Sequence, residues 1–177
     1  MIDNITLIGM PGSGKSSVGR ALAGRIGYQF LDVDREIERR YGMKLSAVLD
    51  QYGDDGFRTV ESEVNASLQP HHTVLAPGGS VVYGQRAMEH LRSIGAVVYL
   101  RLSCPLIAER LGNLHDRGVT IRPGQSFEDL YNERCPLYER YAHIAVDCEG
   151  LGIQGVTAEI LRRLQGFSLG EAEGASE

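Results

Sequence analysis

Short apolar runs alternate with amphipathic segments along the whole chain. Five runs have the β-branched composition of buried strands and are bounded by glycine or polar residues; they lie at 4–9, 28–34, 73–80, 96–102 and 143–147. The run AVVYLRL at 96–102 is apolar almost throughout, as in a strand that is covered on both faces. The third run, TVLAPGGS, passes directly into a glycine turn.

Between these runs, apolar residues recur at the spacing of amphipathic helices. The pattern predicts helices over 15–26, 35–42, 45–53, 57–68, 85–94, 105–111, 126–141 and 154–164. Strands that alternate with helices favour a parallel sheet with helices on both faces. We therefore expect a three-layer α/β/α fold built on a five-stranded parallel sheet.

The length of 177 residues suits a single domain, which we expect to span residues 1–165. The segment 112–124 is polar and rich in glycine, and a segment of this kind in a compact domain is often a mobile lid. The tail at 166–177 is small and acidic, so we expect it to be disordered.

Charge and cysteine content indicate what kind of partner the protein binds and in which cellular compartment it works. The net charge of −5 argues against a nucleic-acid partner, because such proteins usually carry a basic face. No apolar run is long enough for a membrane span or a signal peptide. The three cysteines, which are widely spaced, form no metal-binding pattern and are expected to be reduced thiols. We expect a cytoplasmic monomer that acts on a small molecule.

The first strand leads into a phosphate-binding motif. Residues 9–16, GMPGSGKS, match G-x-x-x-x-G-K-[ST] at every fixed position, between a predicted strand and a predicted helix. Backbone amides of such a loop cradle phosphates, the lysine reaches the β- and γ-phosphates, and the serine ligates Mg²⁺. We expect ATP on Gly12, Ser13, Gly14, Lys15, Ser16 and Ser17, with Mg²⁺ on Ser16.

The loop alone does not distinguish a GTPase, an ATPase motor and a small-molecule kinase. The chain lacks the N-K-x-D stretch that reads guanine and the apolar strand ending in Asp-Glu that many motors carry. Of the three classes, a compact small-molecule kinase remains.

Two aspartates close the second predicted strand. Asp32 and Asp34 are two positions apart, so both would point to the same face of the strand, near Mg²⁺ and the acceptor hydroxyl. The alternative is that Asp34 only caps the next helix.

Several residues suggest an anionic acceptor. Arg58 and Glu61 lie one helical turn apart, a spacing that permits an ion pair orienting the guanidinium. Gly78 and Gly79 could bring backbone amides against a ligand, although a plain tight turn is equally consistent. Further candidate cations, any of which could be only a solvated charge, are Arg110, Arg117 and Arg134.

Over residues 4–164, the chain resembles the shikimate kinases. The resemblance is carried by the stretches GMPGSGKSS, FLDVD, FRTVESE and RCPLY, together with the glycine turn and the lid segment. This resemblance implies a P-loop kinase of the nucleoside-monophosphate-kinase-like fold that transfers phosphate from ATP to the shikimate 3-hydroxyl, a step of aromatic amino-acid (chorismate) biosynthesis. The resemblance also implies roles for the site residues. At the acceptor, Asp34 contacts the ring hydroxyls and is the candidate base, and Arg58 and Arg134 bind the substrate carboxylate with help from Gly78 and Gly79. At the nucleotide, Asp32 helps to place Mg²⁺, Arg110 lies by the adenine, and Arg117 reaches from the lid to the phosphates.

Two stretches depart from the family pattern. The family usually has three glycines after the third strand, whereas this chain reads PGGS with Ser80 in the third place. The usual Arg-Pro-Leu-Leu run of the lid is replaced by DRGVTIRPGQ. Arg122, which precedes a proline, is therefore an alternative to Arg117 as the lid arginine. Both changes touch the acceptor and the lid, so a kinase of another small hydroxy acid, such as homoserine, is the alternative. A nucleotide-binding module without catalysis is the third hypothesis.

Overall fold

The structure, a computed structural model, describes residues 2–111 and 121–168. Five strands form one parallel sheet in the order β2-β3-β1-β4-β5. Their bounds are β1 Asn4–Ile8, β2 Gln29–Asp32, β3 Thr73–Ala76, β4 Ala96–Arg101 and β5 Ile144–Asp147. The five-stranded parallel sheet expected from the sequence is confirmed.

Seven helices and one short 3-10 turn are described. They are α1 Lys15–Ile26, α2 Val33–Tyr41, α3 Leu45–Ser67, the 3-10 turn Val81–Tyr83, α4 Gln85–Ile94, α5 Cys104–Leu111, α6 Phe127–Tyr141 and α7 Ile153–Leu164. Helices α1 and α7 pack together, and α3 packs with α2 and α4. The sheet lies between these helices, and its central strands β1 and β4 are buried almost completely.

Helix α3 spans Leu45–Ser67, but Gly53, whose φ of 69° and ψ of 179° are not helical, divides it into two helical halves joined at a kink. Glycine adopts this backbone, with its positive φ, without the steric cost that a side chain would bring. The two helices that the sequence predicts on either side of Gly53 are therefore confirmed, although the second begins directly after Gly53 rather than at residue 57.

The boundary between β2 and α2 also differs from the prediction. The strand ends at Asp32, and Asp34 lies in the first turn of α2 rather than at the end of a strand. Asp32 is the helix cap: its Oδ1 accepts hydrogen bonds from the backbone N–H of Asp34 at 3.1 Å and of Arg35 at 3.4 Å. The same-face argument for a strand was therefore wrong, and the capping residue is Asp32, not Asp34.

The parallel sheet brings three loops to one edge. The loop 9–14 follows β1, Asp32 closes β2, and the turn 77–80 follows β3. Carboxyl ends of parallel strands meet at the same edge, which is where α/β sheets bind ligands. The three cysteines are unpaired, as expected. Within residues 2–111 and 121–168, no helix is long and apolar enough to cross a membrane.

Candidate active site

A cavity of about 710 Å³ opens at this edge of the sheet. Its size is in the range of pockets for small ligands. It brings together most of the residues that the sequence singles out, namely Gly12, Gly14, Lys15, Ser16, Ser17, Asp32, Asp34, Gly78, Gly79, Arg110 and Arg134. Residues of α3 that the sequence did not single out, Leu45, Ser46, Leu49, Asp50 and Phe57, form one wall.

The loop between β1 and α1 presents the start of a helix to the cavity. Gly14 precedes α1 with a left-handed φ of 96°, and no side chain caps the helix. The first N–H groups of a helix have no partner within the helix and carry its positive dipole end. Without a capping side chain, they are suited to bind a phosphate. Ser13 is buried beneath the loop, and among the described residues its Oγ has no hydrogen-bond partner.

Lys15 lies at the centre of this loop. Its Nζ donates hydrogen bonds to the carbonyl oxygens of Gly9 at 2.8 Å and Met10 at 2.9 Å. Burial lowers the pKa of Lys15 to about 8, although the carboxylates of Asp34 and Glu61 favour its charged form. The ammonium group is thus held within the loop by carbonyl groups that a phosphate could replace.

Asp34 faces the cavity from the first turn of α2. Burial raises the pKa of Asp34 to about 6; Asp32 adds to this rise and Lys15 opposes it. A carboxyl group whose pKa lies near the working pH can both accept and release a proton, as general base catalysis requires.

Glu61 is the second carboxyl group of the site and is 1% exposed. The Ser80 hydroxyl donates a short hydrogen bond to its Oε2, while its Oε1 has no partner among the described residues. Burial raises the pKa of Glu61 to about 7, and the hydrogen bond from Ser80 works against that rise. The sequence suggested only Arg58 as a partner for Glu61, because Ser80 comes from a turn 19 residues further along the chain.

The glycine turn is packed tightly against both carboxyl groups. A Cβ atom at Gly78 would lie 2.8 Å from Glu61 Oε1 and 3.0 Å from Asp34 Oδ1. A side chain at this position would force the two carboxyl groups to shift, so glycine allows the turn to approach them as closely as it does. The turn therefore forms part of the cavity wall rather than a loop remote from it.

The predicted ion pair between Arg58 and Glu61 is wrong. Glu61 is bound to Ser80, and the guanidinium carbon of Arg58 instead lies 4.0 Å from the ring centre of Tyr83. Arg58 does not line the cavity but lies beside it. Helical spacing permits such a pair, yet the serine from the neighbouring turn competes successfully for the carboxylate.

Arg134 enters the cavity from α6 and is 4% exposed. Its Nε donates to the hydroxyl of Tyr83 at 3.4 Å, and a Cβ atom at Gly79 would lie 3.1 Å from its Nη1. In the part of the chain that the structure describes, Arg134 forms no ion pair with a carboxylate. A buried guanidinium without an anionic partner is costly unless a ligand supplies the negative charge.

The other candidate cations occupy different places. Arg110 lines the cavity and its Nη1 donates to the carbonyl of Gly12 at 3.4 Å. Arg122 lies with its Nη2 3.8 Å from Glu133 Oε1, and it is not among the residues that line the cavity. Arg117 lies outside the described residues, as does most of the predicted lid at 112–124.

The residues predicted to place Mg²⁺ fit that ion in kind. Ser16 and Asp32 both line the cavity and offer oxygen atoms, which Mg²⁺ prefers. Both backbone donors at the start of α2 bind Asp32 Oδ1, which leaves Oδ2 without a hydrogen bond from the described residues. No group of three His, Cys, Asp or Glu side chains within residues 2–111 and 121–168 could hold a metal alone. Phosphate oxygens and water would have to complete the coordination.

Comparison with known proteins identifies the family of this chain. The family model for shikimate kinase matches residues 11–165. A shikimate kinase of Thermodesulfovibrio yellowstonii is 36% identical over 95% of this chain and 98% of its own, and one of Methylococcus capsulatus is 42% identical over 81% and 82%. The structure of shikimate kinase from Acinetobacter baumannii in complex with shikimate matches with a TM-score of 0.84 and 33% identity, covering 94% of each chain. The chain therefore belongs to the shikimate kinase family.

Proposed function

We propose that this protein transfers the γ-phosphoryl group of ATP to the 3-hydroxyl of shikimate, giving ADP and shikimate 3-phosphate for aromatic amino-acid (chorismate) biosynthesis. The observation that carries the proposal is that one cavity joins a P-loop, two buried carboxyl groups and the unpaired guanidinium of Arg134. A phosphate donor suits the loop, and a hydroxy acid suits the other end. The shikimate in the related structure from Acinetobacter baumannii supports this choice of acceptor.

The donor end would be formed by the P-loop and its neighbours. The amides at the start of α1 and the Lys15 ammonium would bind the phosphates, and Arg110 would lie by the adenine. Ser16, together with Asp32 through water, would hold Mg²⁺, which when bound neutralises charge on the β- and γ-phosphates. Arg117 or Arg122 would reach the phosphates from the lid.

The acceptor end would be formed by carboxyl groups and arginines. Asp34 would accept a hydrogen bond from the reacting hydroxyl and take its proton as phosphoryl transfer proceeds. Arg134 would bind the carboxylate of shikimate with Arg58 beside it, because a guanidinium suits two-point contact with a carboxylate. Gly78 and Gly79 would close the pocket around the ring. We further propose that the enzyme acts as a monomer in the cytoplasm.

A coupled assay of ADP release tests the proposal. With ATP, Mg²⁺ and shikimate we expect a kcat in the usual kinase range of about 1–100 s⁻¹. Homoserine should give no turnover under the same conditions. A Lys15→Ala variant from the same purification is the control, because its loss of activity excludes a contaminating kinase. Turnover with homoserine and none with shikimate would show that the acceptor is not shikimate. ATP binding without phosphoryl transfer to any acceptor would contradict the assignment of this protein as a kinase.

A further inference from the structure

Tyr83, which no part of the proposed mechanism uses, lies between the two arginines of the acceptor end. It ends the 3-10 turn that follows the glycine turn. The guanidinium carbon of Arg58 lies 4.0 Å from its ring centre, and that of Arg134 lies 5.5 Å from it. Both distances are within the range of attraction between a cation and an aromatic ring.

The hydroxyl of Tyr83 fixes the ring in place. It donates to Glu133 Oε1 at 2.6 Å and accepts from Arg134 Nε at 3.4 Å. Glu133 is itself held from the far side, because Gln125 Nε2 donates to its Oε2 at 3.0 Å. The Tyr83 ring is thus anchored through its hydroxyl to α6 and to the segment that precedes α6.

An aromatic ring has an advantage over a carboxylate in this position. Among the described residues, neither Arg58 nor Arg134 has a carboxylate oxygen within 4.0 Å, so no carboxylate occupies their N–H groups. A carboxylate on these guanidinium groups would compete with an acidic ligand for the same hydrogen-bond donors. The face of a tyrosine ring attracts cations without occupying their N–H groups in this way.

The chain reaches this arrangement because Ser80 binds Glu61. That bond removes the carboxylate that lies one helical turn from Arg58. Arg58 then packs on the ring three residues further along the same turn as Ser80. Ser80 and Tyr83 thus have complementary contacts: Ser80 binds the carboxylate of Glu61, and the ring of Tyr83 packs against the guanidinium group of Arg58.

We propose that Tyr83 is a positioning residue for recognition of the acceptor's carboxylate, holding Arg58 with its ring and Arg134 with its hydroxyl. The proposal rests on the proposed function, because it assigns the two arginines to an acidic acceptor. Tyr83 itself is not among the residues that line the cavity, so we place it behind the arginines rather than against the substrate.

Kinetics of two Tyr83 variants test this role. For Tyr83→Leu, which loses the ring and the hydroxyl, we expect the KM for shikimate to rise about tenfold. Tyr83→Phe, which keeps the ring, should show a smaller rise. In both variants, kcat and the KM for ATP should stay within about twofold of wild type, because the P-loop and Asp34 are untouched. A merely structural role would instead alter kcat and both KM values together.

A matched control comes from Tyr141, whose ring lies 5.6 Å from Arg140, an arginine that, unlike Arg134, does not line the cavity. Tyr141→Leu should leave the KM for shikimate unchanged. A double-mutant cycle adds a second criterion: with Arg58→Gln already present, Tyr83→Leu should raise the KM by less than it does alone. If the two effects simply multiply, Tyr83 does not act through Arg58.

The outcomes separate the two proposals. Absence of turnover by the wild-type protein with shikimate would overturn the proposed function. Turnover by wild type with an unchanged shikimate KM in folded Tyr83→Leu would overturn only the role of Tyr83. If Tyr83→Leu fails to fold, as judged by circular dichroism, Tyr83→Phe decides, and an unchanged shikimate KM in that variant would likewise overturn the proposal.

Discussion

At the scale of single residues, two carboxyl groups converge on the space beside Gly78. Asp34 and Glu61 both lie close to the position of its missing side chain, and burial raises the pKa of each toward neutrality. They differ in their partners, because Glu61 is bound by Ser80 whereas Asp34 lies near the charge of Lys15. Asp34 is thus suited to exchange a proton, and Glu61 is held in place.

Replacing Asp34 with asparagine tests its role as base. Asp34→Asn should lower kcat by about 10²–10⁴-fold, the usual contribution of general acid–base catalysis. ATP binding, measured by calorimetry, should stay within a few-fold of wild type, since the P-loop is unchanged. Asp54→Asn, on an exposed part of α3, is the control and should be fully active. Full turnover by Asp34→Asn would remove Asp34 from this role.

Glu61 should make the stability of the protein depend on pH. Its pKa is raised from 4.5 to about 7 in the folded state, so the neutral form is favoured by folding. That contribution is fully present below pH 4.5 and is lost as the pH rises through 7. A shift of this size corresponds to about 3 kcal/mol. Denaturant unfolding at pH 5 and pH 8 should therefore show a larger loss of stability for wild type than for Glu61→Gln; equal losses would contradict the buried state of this carboxyl group.

At the scale of elements, the bend in α3 decides how its two halves meet the site. Leu45, Leu49 and Phe57 all line the cavity, although Gly53 separates the first two from the third along the chain. A straight helix would carry its second half in a different direction. The kink at Gly53 therefore allows both helical halves to reach the cavity, the first with Leu45 and Leu49 and the second with Phe57 and the buried Glu61.

A pair of glycine-to-alanine variants tests this bend. No atom lies within 4 Å of a Cβ added at Gly53 or at Gly24, so neither variant meets a steric clash. Gly53 has a φ of 69°, so Gly53→Ala should destabilise the protein by about 1–2 kcal/mol. Gly24 lies inside α1, so Gly24→Ala should stabilise by about 0.5–1 kcal/mol. Thermal unfolding of both variants measures the difference between their free energies of unfolding. Stabilisation by both substitutions would show that alanine adopts the backbone conformation of Gly53 without strain.

The elements also show what the sequence could and could not predict. The P-loop was predictable because its function requires particular residues at fixed spacing between a strand and a helix. The end of β2 was not, because Asp32 and Asp34 alternate like strand residues and only the two bonds to Asp32 reveal the helix cap. The partner of Glu61 was not predictable either, since Ser80 comes from a turn that is distant in sequence.

At the scale of the whole molecule, the fold brings two cationic side chains from different elements to one cavity. Lys15 begins α1 directly after the loop that follows β1, and Arg134 comes from α6. Burial of an unpaired guanidinium group opposes folding, so the acceptor end is maintained at the expense of stability. Ligand binding should recover that stability.

Replacing Arg134 with methionine separates these effects. Removal of a buried charge that has no ion-pair partner relieves the cost of taking that charge out of water, so the melting temperature of ligand-free Arg134→Met should not fall. Shikimate at 100 times its dissociation constant should stabilise wild type by about 2.7 kcal/mol and the variant by much less. Calorimetry with and without shikimate measures both quantities. An equal response to shikimate would show that Arg134 does not bind the acceptor.

The burial of Lys15, which lowers its pKa, has a consequence for chemical labelling. The chain contains only two lysines, Lys15 and Lys44. Since the pKa of Lys15 is about 8, roughly half of its amine is neutral at that pH, whereas an ordinary lysine is almost wholly protonated. We therefore expect an amine-selective reagent small enough for the cavity to acylate Lys15 at about this pH. One peptide in a mass spectrum would then report whether the donor end is occupied.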